Sequence, residues 1–302
     1  MPASPDPATT AYDGTVACAG VAALAPRFDG FIVDQWGVLH DGTRPYPGAL
    51  ACLESMRAAG KRIVVLTNSG RPEAANVALM EAMGFPARLF DRFVCAGEDA
   101  RQAIATRATP FHAGLGRRCY PFTRGGDHAL LDGLDVEIVP RVEDADFLVA
   151  IGIESPARPL ADYETELAAG VARGLPMLCA NPDLFRFSPQ GLIEATGVLA
   201  RRYEALGGRV FHHGKPYPAI YRSCLAALGQ CAPERVIAIG DSIEHDVLGA
   251  TRAGVASALI AGGVHAEALG IAWGALPSLE AWRDFVRGAE ARPAYLLPTF
   301  VW

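Results

Sequence analysis

Four short segments of the sequence carry the side chains that could do chemistry. Together they contain several carboxylates, a hydroxyl beside an amide, and one lysine. Carboxylate oxygens are ligands that Mg²⁺ prefers, and hydroxyl, amide and ammonium groups bind phosphate oxygens. This combination is typical of phosphoryl transfer. The segments are Asp34–Gly42, Thr67–Ser69, Gly214–Pro216 and Gly240–Asp246.

The residue types suggest a division of labour. The carboxylates of Asp34, Asp241 and Asp246 could hold a divalent cation. Asp34 directly follows the first apolar run and is the natural nucleophile, because an aspartate can form an aspartyl-phosphate. Lys215 would offset the repulsion between that carboxylate and an anionic substrate. The donors for the phosphate oxygens would be Thr67, Asn68, Ser69 and Lys215.

Each of these residues also has an ordinary structural role when it is taken alone. An aspartate after a strand often caps a turn or a helix, and Asp241 with Ser242 could cap a helix that begins near Ile243. Lys215 could be a solvated loop residue. The joint occurrence of all four segments at the ends of apolar runs or at turns favours the functional interpretation.

The elements that would position these residues alternate short apolar runs with longer helical patterns, which is typical of βαβ units on a mostly parallel sheet. The predicted strands are 31–33, 62–66, 147–151, 177–180 and 236–239, and the predicted helices are 48–59, 72–83, 100–107, 161–173, 218–228 and 243–253. Several helices should end at a glycine: Gly60, Gly84, Gly174, Gly229 or Gly254. Because ligands bind beyond the carboxyl ends of parallel strands, the four segments should meet at one edge of the sheet.

Composition excludes several other classes of protein. The chain has 302 residues and a net charge of −6, without a basic run, so we expect no nucleic acid as a partner. Its seven scattered cysteines favour neither disulfides nor a zinc site, and indicate the reducing cytoplasm. No signal peptide is recognisable and no apolar run approaches the ~20 residues of a membrane span, so we expect no membrane partner.

The four segments resemble the motifs of the haloacid dehalogenase (HAD) superfamily, and specifically its class IIA, the NagD-like phosphatases. Asn181-Pro182-Asp183 also resembles this class. The similarity spans about residues 28–266. The matching motifs, in order, are Asp34-x-x-Gly37-Val38-Leu39-x-x-Gly42, Thr67-Asn68-Ser69, Gly214-Lys215-Pro216 and Gly240-Asp241-x-x-x-x-Asp246.

The resemblance implies an α/β fold with two domains. A Rossmann-like HAD core with a parallel sheet would comprise residues 1–96 and 210–302, and a C2-type α/β cap would comprise residues 97–209. Exposed apolar cap surface often supports dimers in this class, so a homodimer through the cap is a candidate assembly. The C-terminal apolar segment Leu296–Trp302 should dock on some surface.

The resemblance also implies a role for each matching position. Asp34 would attack phosphorus, Asp34 and Asp241 would ligate Mg²⁺, and Asp246 would support the metal site directly or through water. Lys215 would bind the phosphate together with Thr67, Asn68 and Ser69. The region Asn181–Arg186, with Asn181 and Asp183, would help the cap to recognise the leaving group.

One position departs from the family pattern. The family has a second motif I aspartate that protonates the leaving oxygen and then activates water, and Trp36 stands in its place. The metal site need not be lost, because the family residue ligates Mg²⁺ through its backbone carbonyl, which Trp36 also has. General acid–base catalysis is worth roughly 10²- to 10⁴-fold. The proton could instead come from His40, Asp41 or a cap residue, or the substrate could have a good leaving group.

The sequence therefore predicts a Mg²⁺-dependent phosphatase that acts on a small phosphorylated metabolite, such as a sugar phosphate, through an aspartyl-phosphate on Asp34. The alternative is a catalytically impaired protein that binds a phosphorylated metabolite or regulates through it. A receiver-type phosphoacceptor is disfavoured by the order of the segments and by the large insert between the second and third. The sequence does not identify the metabolite, since fold-level analogy does not fix a substrate.

Overall fold

A computed structural model describes residues 10–188 and 191–302 of the chain. The chain forms two compact units. The first unit comprises Met1–Thr67, Val77–Phe93 and Tyr221–Trp302, and the second comprises Asn68–Asn76 and Val94–Ile220. The second unit contains the whole segment 97–209 for which a cap is predicted. The predicted domain boundaries themselves stay a prediction.

Strands and helices alternate along most of the chain. The strands are β1 (Thr10–Tyr12), β2 (Thr15–Ala17), β3 (Gly30–Asp34), β4 (Arg62–Thr67), β5 (Arg92–Cys95), β6 (Arg118–Phe122), β7 (Glu137–Ile138), β8 (Phe147–Ala150), β9 (Pro176–Cys179), β10 (Phe185–Ser188), β11 (Gly191–Glu194), β12 (Arg209–His212), β13 (Val236–Gly240), β14 (Ala256–Ile260) and β15 (Tyr295–Leu297). The α-helices are α1 (Ala49–Ala58), α2 (Glu73–Ala82), α3 (Ala96–Thr106), α4 (Pro110–Ala113), α5 (Glu164–Ala172), α6 (Thr196–Ala205), α7 (Pro218–Leu228), α8 (Leu248–Ala253) and α9 (Leu279–Val286).

The strands form two main sheets. The larger sheet has the order β1-β2-β15-β14-β13-β3-β4-β5, and its pairings from β2 to β4 are parallel, whereas β1 and β2 are antiparallel. The second unit contains a five-stranded parallel sheet with the order β12-β9-β8-β6-β7 and a separate antiparallel pair, β10 and β11. This arrangement confirms the predicted α/β class with parallel sheets.

The centre of the larger sheet is fully buried, as its apolar sequence predicts. Every residue of β3 and of β13 is buried, which is typical of parallel strands covered on both faces. Alternate residues of β3, such as Phe31 and Val33, pack into one core with Leu53 and Met56 of α1. The second unit has its own core, in which Leu148 and Met177 pack against α5 and α6. These cores fix the strand ends that carry the candidate site.

All five predicted strands and most predicted helices lie where expected, within a few residues. The five glycines predicted to end helices all have positive φ angles, which confirms them as left-handed helix ends. Two helices differ in their first turns. The predicted helix 161–173 begins as a 3₁₀ turn over Leu160–Tyr163, and the predicted helix 243–253 begins as a π-helix over Ile243–Val247.

The C-terminal segment is part of the larger sheet. β15 lies between β14 and β2, and Phe300 is buried against the same core as Phe31. The prediction that this apolar segment docks on a surface is therefore confirmed, and its partner is the sheet of its own unit. Within the described residues, no helix has the length and apolar character that a membrane span requires.

Candidate active site

Three carboxylates of the first unit converge at the carboxyl ends of two neighbouring strands. β3 ends at Asp34, β13 is followed by Asp241, and the π-helix after it carries Asp246. Ligand oxygens of the three side chains all lie within 4.8 Å of one another, and all three residues are buried. Buried like charges at this spacing repel each other unless a cation lies among them. The donor set, which consists only of carboxylate oxygens, therefore fits a hard divalent cation such as Mg²⁺.

Backbone N–H groups orient these carboxylates. The N–H of Gln35 donates to Oδ1 of Asp34 at 2.7 Å, and the N–H of Val264 donates to Oδ2 of Asp241 at 2.8 Å. The N–H of Ser242 donates to Oδ2 of Asp246 at 3.1 Å. Because the donors belong to the main chain, the orientation of each carboxylate depends on local backbone geometry.

Glycines make room for the same carboxylates. A Cβ at Gly37, where φ is +77°, would overlap Oδ2 of Asp241, and a Cβ at Gly263 would overlap the same side chain. A Cβ at Gly240 would overlap the carboxyl group of Asp246. Gly37 and Gly240 belong to the predicted motifs, whereas the sequence analysis missed Gly263. Its signal is the Gly262-Gly263 pair that follows the apolar run of β14.

Thr67 lies at the end of the strand next to Asp34. In the parallel register of β3 and β4, Asp34 pairs with Leu66, so Thr67 is one residue further toward the carboxyl edge. Its side chain is buried. The first unit thus places a hydroxyl on the strand adjacent to the candidate nucleophile.

Trp36 supplies no ionisable group, and its ring is packed within the motif I loop. The indole contacts the His40 ring edge-on, with 5.0 Å between the ring centroids. A Cβ at Gly42 would overlap the indole, so the ring lies directly against that glycine. The position at which the resemblance predicts an acid is therefore occupied by an aromatic ring that packs against His40 and Gly42.

His40 and Asp41 are poor replacements for the missing acid. His40 is fully buried, its Nδ1 accepts the N–H of Gly42 at 2.9 Å, and burial lowers its pKa to about 4, so it is neutral at pH 7. Burial raises the pKa of Asp41, but hydrogen bonds from Thr43 and Arg44 outweigh this effect and hold that pKa well below its usual value. Asp41 is therefore an ionised turn residue and has no proton to give near neutral pH.

In the second unit, the Asn68 side chain fixes the backbone of Lys215. Its Oδ1 accepts the N–H of Lys215 at 2.6 Å, and its Nδ2 donates to the Lys215 carbonyl at 3.1 Å and to Oδ1 of Asp183 at 2.8 Å. Asn68 and Lys215 are both buried. Both N–H bonds of the amide are already used, so the side chain has no donor left for a phosphate oxygen. This geometry gives the Asn68 side chain a positioning role, and the phosphate contact predicted for Asn68 stays a prediction.

The other predicted residues of the second unit form local turns. Oγ of Ser69 accepts the N–H of Arg71 at 3.3 Å, and the Ser69 carbonyl accepts the N–H of Gly97 at 2.9 Å. Oδ1 of Asn181 accepts the N–H of Asp183 at 3.1 Å. The structure therefore brings Asn68, Asp183 and Lys215 together, and places Ser69 and Asn181 in half-buried turns.

A chain of hydrogen-bonded side chains, in which His112 and His213 are buried, directly precedes the Gly214-Lys215 turn. Nδ1 of His213 lies 2.6 Å from Oδ2 of Asp99, and Nε2 of His213 lies 3.3 Å from Nε2 of His112. Nδ1 of His112 lies 2.5 Å from Oγ1 of Thr109. Burial is the largest cause that lowers the pKa of His112, to about 4. One set of tautomers satisfies the whole chain, with the Thr109 hydroxyl donating first and Asp99 accepting last.

Known proteins resemble this chain over most of its length. A family model described as haloacid dehalogenase-like hydrolase matches residues 31–137, and a second, HAD-hydrolase-like model matches residues 212–282. Human chronophin is 30% identical over 260 residues, which cover 79% of this chain and 82% of chronophin. The ribonucleotide monophosphatase NagD of Escherichia coli K12 is 27% identical over 77% of this chain and 87% of its own length.

A solved structure extends the similarity to nearly the whole chain. A haloacid dehalogenase-like hydrolase from Brucella suis 1330 superposes with a TM-score of 0.79 and is 34% identical. The match covers 94% of this chain and 100% of that one. The chain therefore belongs to the haloacid dehalogenase-like hydrolases and, within them, to the NagD-like phosphatase class that its four motifs predicted.

Proposed function

We propose that this protein is a Mg²⁺-dependent phosphatase that hydrolyses a small phosphorylated metabolite, such as a sugar phosphate, through an aspartyl-phosphate on Asp34. The observation that carries the proposal is the convergence of three buried carboxylates at the ends of β3 and β13. Asp34, Asp241, Asp246 and the backbone carbonyl of Trp36 would hold the cation. Bound Mg²⁺ would offset the negative charge of these groups and of the substrate phosphate.

The residues of the chain would act in two steps. In the first, a carboxylate oxygen of Asp34 bonds to phosphorus, and the bond from phosphorus to the ester oxygen breaks with its electron pair leaving on that oxygen. In the second, water attacks the aspartyl-phosphate, which releases inorganic phosphate and restores Asp34. Thr67, Asn68, Ser69 and the ammonium group of Lys215 would bind the phosphate oxygens, and the side chain of Asn68 would also hold the Lys215 backbone in place.

The environment of Trp36 favours substrates whose leaving oxygen needs little help from an acid. Position 36 lacks a carboxylate, His40 is buried and neutral, and Asp41 is ionised. The leaving groups of aryl, enol and acyl phosphates are stabilised anions that depart without a proton. The alkoxide of an alkyl phosphate is a poor leaving group and needs a proton at the leaving oxygen. The same observation supports a second candidate, a protein that binds a phosphorylated metabolite without turnover.

We place the reaction in the cytoplasm. All seven cysteines are free thiols and six of them are buried, which is compatible with a reducing compartment. A homodimer through the predicted cap and the absence of nucleic-acid and membrane partners remain proposals.

The test is phosphate release from p-nitrophenyl phosphate with Mg²⁺ and with a chelator. We expect release that requires Mg²⁺ and falls below about 1% in Asp34→Asn, because the amide is a far weaker nucleophile. Asp135→Asn is the matched control, since this exposed carboxylate pairs only with Arg117 in the described structure. Activity above a few per cent in Asp34→Asn would refute the nucleophile. Mg²⁺-dependent binding of phosphate esters without any release would instead support the second candidate.

A further inference from the structure

A pair of stacked aromatic rings lies at the carboxyl edge of the larger sheet, within the first unit alone. The ring of Tyr46, in the segment between β3 and α1, stacks on the indole of Trp273, in the segment between β14 and α9. The ring centroids are 4.3 Å apart and the ring planes are inclined by 23°. In the sheet, β13 lies between β3 and β14, so the stack joins segments from both sides of the strand that Asp241 follows.

The indole and the Asp241 carboxylate lie against consecutive glycines. A Cβ at Gly262 would be 3.2 Å from Cε3 of Trp273, and a Cβ at Gly263 would be 2.2 Å from Cβ of Asp241. Burial is the largest cause that raises the pKa of Tyr46, to about 12, and the negative charge of Asp241 adds to it. The aromatic stack is therefore next to one of the three carboxylates of the candidate active site.

The indole of Trp273 is held in place and still presents a surface to a ligand. Trp273 is 42% exposed. A single exposed aromatic residue is ordinary on a protein surface. This one, however, packs on Tyr46 and on Gly262, so the orientation of its ring is fixed before a ligand arrives. A ring that is already oriented loses little conformational entropy when a second ring packs on it.

The missing acid at position 36 points independently to a ring in the leaving group. Trp36 has no proton to give, His40 is neutral and Asp41 is ionised. A phenolate is a stabilised leaving group that departs without a proton. Pairs of aromatic rings also gain more free energy than the apolar area that they bury. A leaving group that joins an aromatic ring to the ester oxygen fits both features of the first unit.

We propose that Trp273, supported by Tyr46, is a specificity-determining residue that stacks on an aromatic ring of the leaving group. This assignment rests on the proposed function, and it narrows the substrate class to phosphate esters of phenols and related aromatic alcohols. The ring would pack on the exposed surface of the indole while the phosphate is bound beside Asp241.

Three esters separate stacking from the acidity of the leaving group. Hexafluoroisopropyl, phenyl and 1-naphthyl phosphate release alcohols of similar acidity, and their leaving groups contain no aromatic ring, one ring and two fused rings, respectively. We expect kcat/KM of the wild type with Mg²⁺ to rise in that order, because the area available for stacking increases.

Substitutions of Trp273 test whether this residue is responsible. Trp273→Leu keeps an apolar side chain and removes the ring. It should lower kcat/KM for 1-naphthyl phosphate about fivefold more than that for the hexafluoroisopropyl ester, mainly through KM. Trp273→Phe should restore most of the preference. Trp302→Leu is the matched control, because Trp302 belongs to the same unit and is also 42% exposed, and it should leave the ratio unchanged.

The outcomes separate this inference from the proposed function. If the wild type releases phosphate from none of the three esters, the proposed function fails, and calorimetric binding of the same esters to the same variants decides the inference. In either readout, the inference is overturned if the wild type does not prefer the aromatic esters, which can be measured even if Trp273→Leu does not fold. It is also overturned if Trp273→Leu weakens all three esters equally, or if Trp302→Leu causes the same selective loss.

Discussion

In the first unit, three carboxylates are held by backbone N–H groups and by glycines that leave room for them. In the second unit, Lys215 is held by side chains: Asn68 bonds its backbone, and the His213 chain precedes it. In the first unit, the Gln35 and Ser242 donors lie within four residues of the carboxylates that they bind, whereas the side-chain contacts of the second unit join residues 101 to 147 positions apart. Adding a Cβ beside the carboxylates of the first unit should therefore displace them. Removing a side chain that binds the Lys215 backbone should displace the lysine.

The largest expected effect comes from adding a methyl group to a glycine that lies against one of the carboxylates. Gly37→Ala places a Cβ onto the Asp241 carboxylate, and should lower Mg²⁺-dependent phosphate release at least ~10³-fold because the metal ligand must move. Gly60→Ala is the matched control: it has a similar φ, +73°, but a Cβ there meets nothing within 4 Å. Steady-state kinetics with Mg²⁺ titration measures both. Equal losses in the two variants would mean that backbone strain, and not the overlap, is responsible.

Removing a side chain from the network of the second unit should have a smaller effect. Asn68→Ala leaves the buried N–H of Lys215 without its acceptor, and we expect kcat/KM to fall roughly 10- to 100-fold as the lysine loses its fixed position. Asn76→Ala is the control, because Asn76 is also buried and its Nδ2 donates to the carbonyls of Arg71 and Pro72. An unchanged rate in Asn68→Ala would show that Lys215 does not need this contact.

Acid should destabilise the first unit through His40. Its pKa falls from 6.5 in the unfolded chain to about 4 in the folded protein. Between pH 6.5 and pH 4 the unfolded chain therefore binds a proton at His40 that the folded protein does not bind, and stability is lost as the pH falls through this range. The free energy of unfolding should be lower at pH 5 than at pH 7 by about 2 kcal/mol from this group. All four tryptophans lie in the first unit, so their fluorescence during urea unfolding reports on it.

His40→Gln removes the titrating group from the same experiment. The variant should lose about 2 kcal/mol less than the wild type between pH 7 and pH 5. An identical pH dependence in both proteins would contradict the burial of a neutral His40.

The smallest expected effect is a gain. Trp36→Asp restores a carboxylate where the family has its acid, and should raise turnover of an alkyl phosphate up to ~10-fold more than that of an aryl phosphate. Trp36→Asn is the control, because it also removes the indole from Gly42 and His40 but cannot donate a proton. Equal changes in the two variants, or no advantage for the alkyl ester, would show that position 36 is not simply a deleted acid.

Much of the first unit could be predicted from the sequence because its signals are local. Buried parallel strands are continuous apolar runs, and a glycine after a helical pattern supplies the left-handed residue that ends it. Asp34 and Asp241 each follow such a run, so the rule for parallel sheets brings them to one edge. The same rule does not predict the π-helix that carries Asp246, because one inserted residue leaves no signal in the hydrophobic pattern.

The parts that could not be predicted depend on distant contacts. β6 contains Pro121 and β14 is rich in small residues, so neither has the β-branched pattern of a strand, and sheet packing decides their conformation. Asp99 and His112 lie 114 and 101 positions before His213 in the sequence and contact it only through the tertiary fold. The Asn68 amide binds both the Lys215 backbone and the Asp183 carboxylate. These contacts follow from tertiary geometry, which cannot be inferred from residue type and spacing.

The central claim is that the carboxylate of Asp34 accepts the phosphoryl group, and rapid-quench labelling tests it most directly. Since Trp36 cannot activate water, the aspartyl-phosphate should decay slowly and accumulate. After a single turnover with an aryl phosphate carrying radiolabelled phosphorus, we predict a hydroxylamine-sensitive label on the peptide that contains Asp34, and no label in the presence of a chelator. Release of phosphate with no label on that peptide, or with the label on another residue, would contradict the account.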